Sequence, residues 1–306
     1  MARGAIVVTG SAGLIGFGVA ARLAREGRSV IGTDRIQPRE DAGFPSTDAE
    51  LTDVHKLHAI CERDISAIVH CGAVSGPMLG RDNPRAVIET NVAGTANLLE
   101  IARQRGVRLV FCSSTSAYGD TAAGLDLVPE DSPLAANDIY GATKASGDIL
   151  TRAYAAQTGL DAVVLRFSWV YGPRRRTPCV VREMIKDAQA GRATRLPYGR
   201  GFTRQYVYID DVVGSVIAAL DAGAIGPQRA FNITGGQRLE FGAIVEAVRQ
   251  AVPTAQITLG EGADPEDQSH GRFDISAAAR ALGWQPKVAF ADGVQDYARW
   301  LAENPV

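Results

Sequence analysis

The sequence opens with a strand, a glycine-rich turn and a helix, and this combination limits the fold more than any other stretch. Ala5–Thr9 is a short, β-branched apolar run, and residues 19–26 have helical periodicity. Gly10, Gly13 and Gly16 lie between them. Glycines let the backbone approach a phosphate closely, and a helix N-terminus offers free N–H groups to it. The pattern predicts a dinucleotide-binding unit, although Gly-x-x-Gly-x-x-Gly differs from the commoner Gly-x-Gly-x-x-Gly.

An acidic residue follows the second predicted strand where a nucleotide-binding unit needs one. Residues 29–33 form this strand, and Asp34 stands at its end, about 20 residues after the glycine turn. A carboxylate there accepts hydrogen bonds from both hydroxyls of an adenosine ribose and repels a 2′-phosphate. The sequence therefore favours NAD over NADP, although the adjacent Arg35 would relieve part of that repulsion.

Composition excludes several classes of function. The chain has 306 residues, enough for one or two domains, and its formal net charge of -2 lacks the basic field that nucleic-acid binding relies on. No apolar run approaches the ~20 residues of a membrane span, and a first strand at residue 5 leaves no room for a secretory signal. The four cysteines lack metal-site spacing. We therefore expect no metal, no membrane partner, and a cytoplasmic location.

Small and hydroxyl-bearing side chains follow two further predicted strands. Gly72 and Ala73 come after residues 66–71, and they would let a cofactor lie against the backbone. Residues 107–112 lead into Ser113-Ser114-Thr115-Ser116, and ligands bind at the carboxyl ends of strands in an open parallel sheet. A serine-rich turn is the alternative for these hydroxyls. Asn91, inside the helix predicted over residues 84–105, is either a solvated residue, a structural hydrogen-bonder or a functional group.

The stretch Tyr140-Gly141-Ala142-Thr143-Lys144 lies in residues 135–158, where apolar side chains have helical spacing. A residue and its fourth successor share one helix face, so the phenol and the ammonium point the same way. A phenol ionises near pH ~10 in water, and a nearby cation favours the phenolate. The pair is a candidate acid/base unit, although such pairs also occur by chance.

In their order and spacing, these motifs resemble the extended short-chain dehydrogenase/reductase family, in particular its nucleotide-sugar epimerase/dehydratase branch. The resemblance covers residues 9–16, 34, 70–73, 91–95, 113–119, 140–144, 165–173, 204–211 and 282–286. It implies an α/β fold with a Rossmann-type doubly wound parallel sheet in residues 1–173, to which the chain returns around 206–233. Residues 174–205 and 234–306 would form a smaller C-terminal α/β substrate lobe.

The same resemblance implies a catalytic set of Ser114, Tyr140 and Lys144, with NAD as the hydride carrier. Tyr140 would move the proton of a sugar hydroxyl, Ser114 would orient that hydroxyl, and Lys144 would hold the nicotinamide ribose. The predicted cofactor-binding residues are Gly10, Ala12, Gly13, Leu14, Ile15, Gly16, Asp34, Arg35, Leu51, Cys71, Gly72, Ala73, Asn91 and Lys144. The predicted substrate-binding residues are Ser75, Ser114, Thr115, Ser116, Tyr140, Trp169, Arg174 and Arg204.

Departures from the family pattern narrow the reaction. Sugar 4,6-dehydratases carry an acidic pair after the catalytic hydroxyl, and decarboxylating relatives carry a Glu in the second position, whereas this chain has Thr115 and Ser116. Trp169 replaces an Asn that contacts the sugar diphosphate in many relatives, and residues 261–264 lack an Arg common near the C-terminus. Arg204 matches the arginine that commonly reaches the diphosphate. Arg174 begins a run of three arginines, either a phosphate-binding or a solvated loop.

We therefore expect an NAD-dependent 4-epimerase that acts on a nucleotide-linked hexose or hexuronate. As partner we expect a second copy of the chain, in a homodimer that packs through the helices carrying Asn91 and Tyr140. The alternative function is an NAD-dependent dehydrogenase of an unconjugated sugar or sugar acid, which would accumulate NADH. A regulator that kept the fold and lost catalysis is a third hypothesis, but Tyr140 and Lys144 are both present.

Overall fold

The computed structural model describes residues 4–37, 42–76, 79–121 and 126–304. In chain order the strands are β1 (Ala5–Thr9), β2 (Val30–Asp34), β3 (Ser46–Asp48), β4 (Ile65–His70), β5 (Arg108–Ser114), β6 (Leu127–Val128), β7 (Ala162–Phe167), β8 (Trp169–Tyr171), β9 (Ala193–Arg200), β10 (Thr203–Arg204), β11 (Tyr206–Tyr208), β12 (Ala230–Ile233), β13 (Leu239–Glu240), β14 (Gln256–Glu261) and β15 (Arg272–Phe273). The α-helices are α1 (Leu14–Arg25), α2 (Val54–Cys61), α3 (Pro84–Ile88), α4 (Gly94–Arg105), α5 (Ile139–Thr158), α6 (Val180–Gln189), α7 (Ile209–Asp221), α8 (Phe241–Ala251), α9 (Ser276–Leu282) and α10 (Phe290–Glu303).

A seven-stranded parallel sheet in the order β12-β7-β5-β4-β1-β2-β3 forms the centre of the protein. The strand order reverses between β1 and β4, and in such sheets a ligand binds outside the carboxyl ends of the strands at that point. β12 joins this sheet after the chain has left it, in agreement with the expected return around residues 206–233. The predicted doubly wound parallel α/β fold is confirmed.

Each face of the sheet is covered by its own apolar core. Along β1, Ile6 and Val8 pack into one core with α1 and α7, while Ala5 and Val7 pack into the other with α2 and α4. This alternation follows from strand geometry, because successive side chains point to opposite faces. Burial on both faces also explains why β1 is continuously apolar.

A smaller lobe follows β8. β9 and β14 pair in parallel, β10 pairs antiparallel with β13, and α6, α8 and α10 pack around them. The core on the α1 side of the main sheet continues into this lobe through Phe241, Ile244 and Tyr297. These strands form small sheets separate from the main one. The division into a dinucleotide-binding domain and a substrate lobe, with its bounds, stays a prediction.

Two predicted helices differ from the structure. α5 begins at Ile139 and not at residue 135, because the Asp138 side chain accepts a hydrogen bond from the Gly141 N–H and caps the helix there. The helix predicted over residues 84–105 is interrupted by one π-helical turn, Glu89–Ala93, which contains Asn91. Such π-turns often mark functional sites.

Candidate active site

One cleft of about 600 Å³ lies over the carboxyl ends of β1, β2, β4 and β5 and extends to β8. It is lined by every site residue predicted from the sequence except Asn91 and Arg204. Within the described part of the chain, the predicted site is thus a single continuous space. Among the residues that line it from the small-lobe side, Arg174 was predicted, and Asp267 and His270 were not.

The glycine turn forms a tight backbone cradle at the N-terminus of α1. A Cβ on Gly16 would lie 2.1 Å from the Gly10 carbonyl oxygen, and one on Gly10, whose φ is +68°, would lie 2.7 Å from the Gly72 nitrogen. The N-cap Gly13 has no side-chain hydrogen bond, so the first N–H groups of α1 remain directed at the cleft. This arrangement fits a pyrophosphate.

Asp34 lies at the end of β2 and lines the same cleft. Its carboxylate accepts hydrogen bonds from the Ala12 N–H at 3.0 Å and from the Ile36 N–H at 3.3 Å. These two bonds hold the carboxylate beside the glycine turn, where it retains lone pairs for a ribose. Together with the cradle, Asp34 makes the described residues a good fit for NAD.

The three predicted catalytic residues come from two elements and meet at this cleft. Ser114 is the last residue of β5, and its Oγ accepts from the Ser116 N–H and donates to the Ser116 Oγ, both at 3.1 Å. Tyr140 and Lys144 lie one turn apart on α5, with the Lys144 Nζ 6.0 Å from the centre of the Tyr140 ring. Lys144 is buried, and its Nζ donates to the Cys112 carbonyl at 2.8 Å.

A buried ion pair that the sequence did not reveal holds α5 in place. Arg166 on β7 donates to both carboxylate oxygens of Asp148 on α5, at 2.7 and 3.1 Å, and to the Tyr118 hydroxyl. Burial raises the pKa of Tyr118 to about 12, so it stays a neutral phenol. A charged residue inside the otherwise apolar β7 was the one available sequence signal. This pair positions the helix that carries Tyr140 and Lys144.

Asn91, predicted to bind the cofactor, is hydrogen-bonded to the backbone of the loop after β4, and its contact with a cofactor stays a prediction. Its Oδ1 accepts from the Val74 N–H at 2.8 Å, and its Nδ2 donates to the Val74 carbonyl and to the Thr143 Oγ. The residue is 3% exposed and does not line the cleft. Asn91 therefore connects the loop after β4 to α5, with both amide hydrogens donated within the protein.

His70, at the end of β4, is a second positioning residue under the cleft. It lies between two hydroxyls, with Nδ1 2.9 Å from the Thr9 Oγ and Nε2 3.0 Å from the Thr95 Oγ. Burial, and then the Lys144 charge, lower its pKa to about 3, so the ring is neutral at physiological pH. It connects β1, β4 and α4 without bringing a charge to the nicotinamide end.

Arg204, predicted to reach a diphosphate, is neutralised inside the small lobe. Its NH2 donates to Asp264 at 2.8 Å and its Nε to Asp267 at 2.5 Å, and its side chain is 2% exposed. The guanidinium stacks on Trp169, whose indole N–H also donates to Asp267. Arg204 therefore borders the small cavity beside the cleft and not the cleft itself. Its predicted contact with substrate stays a prediction, and Asp264 and Asp267 would compete with a diphosphate for it.

Arg174, predicted to bind substrate, lies on the cofactor side of the cleft. Its guanidinium stacks 3.6 Å from the centre of the Phe17 ring, in the first turns of α1. Among the described non-glycine residues it alone has a positive φ, +71°. A positive φ is costly for a residue with a Cβ, so the backbone at Arg174 is locally strained.

Comparisons with known proteins agree with this site. Residues 6–234 match the NAD dependent epimerase/dehydratase family. The chain is 29% identical to a UDP-glucuronate 4-epimerase of Thermodesulfobacterium geofontis over 98% of its own length and 97% of the relative's. It is 32% identical to a UDP-glucose 4-epimerase of Mycolicibacterium smegmatis, with coverage of 94% and 95%.

The fold also matches solved structures. A UDP-glucose 4-epimerase of Thermotoga maritima, solved with UDP-glucose, superposes with a TM-score of 0.87 at 25% identity, covering 99% of this chain and 100% of that one. These matches confirm the resemblance found in the sequence and, with it, the expectation of an NAD-dependent enzyme. The chain belongs to the NAD-dependent epimerase/dehydratase family.

Proposed function

We propose that this protein is an NAD-dependent 4-epimerase of a nucleotide-linked sugar. The observation that carries the proposal is that Ser114, Tyr140 and Lys144 line one cleft with the dinucleotide cradle. The relatives reported above are 4-epimerases of UDP-glucuronate and UDP-glucose, and they match this chain along almost their whole length. Thr115 and Ser116 follow Ser114, so the extra acid and base that a dehydration needs are missing there.

The chain's own residues supply the proton chemistry. Tyr140 takes the proton of the sugar 4-hydroxyl as general base and returns it as general acid. Ser114 donates a hydrogen bond to the same oxygen and stabilises charge that develops on it. Lys144, fixed by the Cys112 carbonyl, holds a positive charge beside the phenol. NAD, bound at the cradle, supplies the hydride acceptor and donor.

A second candidate function is supported by the neutralised Arg204. A diphosphate would have to compete with Asp264 and Asp267 for that guanidinium, and Trp169 covers one of its faces. An unconjugated sugar or sugar acid would need no such group. Net dehydrogenation of such a substrate is therefore the alternative, and it would consume NAD.

The test uses two tyrosines of the same helix. Tyr140→Phe removes only the hydroxyl, and we expect kcat on the true substrate to fall about 1,000-fold with NAD affinity unchanged. Tyr154→Phe, on α5 outside the cleft, is the matched control and should remain within about twofold of the parent. Turnover of Tyr140→Phe close to the parent value would refute the assignment of Tyr140.

The homodimer belongs to the same proposal. Ile88, Ile139 and Ile149 are 47%, 44% and 50% exposed, and they lie on α3 and α5, the two regions expected to pack against a second copy. Apolar side chains left exposed on neighbouring helices favour such packing. Sedimentation of the parent and of an Ile149→Lys variant tests it, and a parent that sediments as a monomer would contradict it.

A cytoplasmic location also stays a proposal. None of the helices that the structure describes is long and apolar enough to cross a membrane. Cys61, Cys71, Cys112 and Cys179 are all free thiols. Free thiols are typical of a reducing compartment and support the cytoplasm. Fractionation of the native cell tests this proposal. We expect the protein in the cytoplasmic fraction, and its detection in another fraction would contradict the proposal.

A further inference from the structure

A cavity of about 10 Å³ adjoins the main cleft on the small-lobe side. The two spaces share five lining residues, Thr115, Ser168, Trp169, Asp267 and His270. Its volume suits one water molecule or one hydroxyl group. Because Thr115 directly follows Ser114, the cavity lies beside the catalytic set and extends the substrate site.

Three residues around this cavity contribute buried polar atoms that have no hydrogen-bond partner among the described residues. They are the Ser168 Oγ, the Gln268 Oε1 and the His270 Nε2. Ser168 is 7% exposed and Gln268 is 9% exposed. Each such atom costs about 1–3 kcal/mol when it stays unpaired, so three around one small space indicate a site that a ligand completes.

The surrounding hydrogen bonds determine what these atoms can bind. The Gln268 amide nitrogen donates to the Asn137 Oδ1 at 2.7 Å and to the Asp138 Oδ2 at 2.8 Å, which leaves the amide oxygen as an acceptor. Burial lowers the pKa of His270, so its ring is neutral, and a ring N–H bonds the Gly119 carbonyl. Its unpartnered Nε2 is therefore an acceptor. A ligand group that pairs with these two acceptors must therefore donate a hydrogen.

Charge around the cavity opposes a carboxylate. Arg204 borders it but is paired with both Asp264 and Asp267. Arg238 also borders it, yet this side chain is exposed, and its Nε donates to the Thr203 Oγ at 2.7 Å. A ligand carboxylate would lie near Asp267 and two acceptors, and it has no hydrogen to give them.

We propose that Ser168, Gln268 and His270 form a hydroxyl-binding subsite that selects a neutral hexose over a hexuronate. The subsite binds one sugar hydroxyl, which donates its hydrogen to one of the two acceptors, while the Ser168 hydroxyl donates to the sugar oxygen or to the other acceptor. The carboxylate of a hexuronate is rejected there. This inference rests on the proposed 4-epimerase function and decides between the two sugar classes that the relatives act on.

Ser168→Ala is the sharpest variant, because the hydroxyl that it removes makes no hydrogen bond within the protein. With UDP-glucose, we expect KM to rise about 10-fold while kcat stays within about twofold, and the melting temperature should not fall. The preference of the parent for UDP-glucose over UDP-glucuronate, about 10-fold or more in kcat/KM, should narrow. Tyr297→Phe is the control, because it removes a buried hydroxyl away from the cleft that has no partner among the described residues. It should leave kcat/KM unchanged for both UDP-sugars.

Two results overturn the subsite. One is a parent enzyme that prefers UDP-glucuronate, and the other is a Ser168→Ala variant with an unchanged substrate ratio, as expected if the cavity holds only a water molecule. Failure of the 4-epimerase proposal looks different, since the parent would then convert neither sugar. In that case, calorimetry still tests the subsite. It compares the affinities of both UDP-sugars for the NAD-loaded Tyr140→Phe protein with their affinities for the Tyr140→Phe/Ser168→Ala double variant.

Discussion

The two walls of the cleft are built in different ways. The cofactor wall consists largely of backbone, a glycine cradle at the start of α1, with Asp34 held by two backbone N–H groups. The small-lobe wall consists of side chains from distant stretches. Trp169 and Asp267 line the cleft and are hydrogen-bonded to each other, and Arg204, which does not line it, bonds to Asp267 and stacks on Trp169. Because backbone atoms are common to all residues, the binding properties of the backbone wall depend less on side-chain substitutions than those of the side-chain wall do.

The small-lobe wall should be the more fragile when one charge is removed. Arg204→Met leaves Asp264 and Asp267, whose side chains are 11% and 10% exposed, without their cation. Breaking a buried ion pair in this way destabilises by about 3–5 kcal/mol. We expect that loss in urea unfolding, with Arg238→Met as an exposed control near zero. A stable Arg204→Met protein with a raised KM for a nucleotide sugar would instead make Arg204 a substrate ligand.

The cofactor wall should break when the cradle is filled. In Gly16→Ala the new methyl group meets the Gly10 carbonyl oxygen at 2.1 Å, so the turn must move. We expect NAD affinity to fall about 100-fold, which is roughly 3 kcal/mol, in calorimetric titration. Gly242→Ala on α8, where the methyl group meets nothing within 4 Å, is the control. An unchanged NAD affinity in Gly16→Ala would show that the pyrophosphate lies elsewhere.

Mild acid should lower the free energy of unfolding, because His70 beneath the cofactor wall is held neutral in the folded protein. This ring stays neutral in the folded protein, with a pKa of about 3, but it takes a proton near pH 6.5 in the unfolded chain. The unfolded state then binds more protons, so stability falls as the pH drops below about 6.5. Between pH 6.5 and 5 the loss from His70 is about 2 kcal/mol.

Chemical unfolding across that range measures the effect. His70→Gln, which cannot be protonated, should show a flatter dependence of its unfolding free energy on pH than the parent does. Parallel curves for the two proteins would mean that His70 is not held neutral by burial.

The smallest expected effect concerns the choice between NAD and NADP at the cofactor wall. Asp34→Asn keeps an oxygen for the Ala12 N–H and removes the charge that repels a 2′-phosphate. We expect NAD affinity to fall about 10-fold and the preference for NAD over NADP to shrink. Arg35→Gln serves as the control for the neighbouring charge. A preference that survives in Asp34→Asn would assign the discrimination to another residue.

Sequence reasoning succeeded where local rules decide the structure. The glycine spacing, the Asp34 distance and the Tyr140–Lys144 pair depend on residues within one strand–turn–helix unit or one helix turn, and all of them line the cleft. It did not reveal the hydrogen bonds that keep Asn91 and Arg204 out of the cleft lining, because partners such as Thr143 and Asp267 lie 52 and 63 positions away. His270 and Gln268 lie in a loop without a motif, so they carried no signal at all.

The fate of hydrogen at C4 tests the central claim most directly. The NAD-loaded protein is incubated with UDP-glucose that carries deuterium at C4, and sugar products and NADH are followed together. We expect the C4 epimer to form with its deuterium retained and with no accumulation of NADH, because the same hydride returns to the sugar. NADH that accumulates in step with an oxidised product, or no conversion of either UDP-glucose or UDP-glucuronate, would contradict a 4-epimerase.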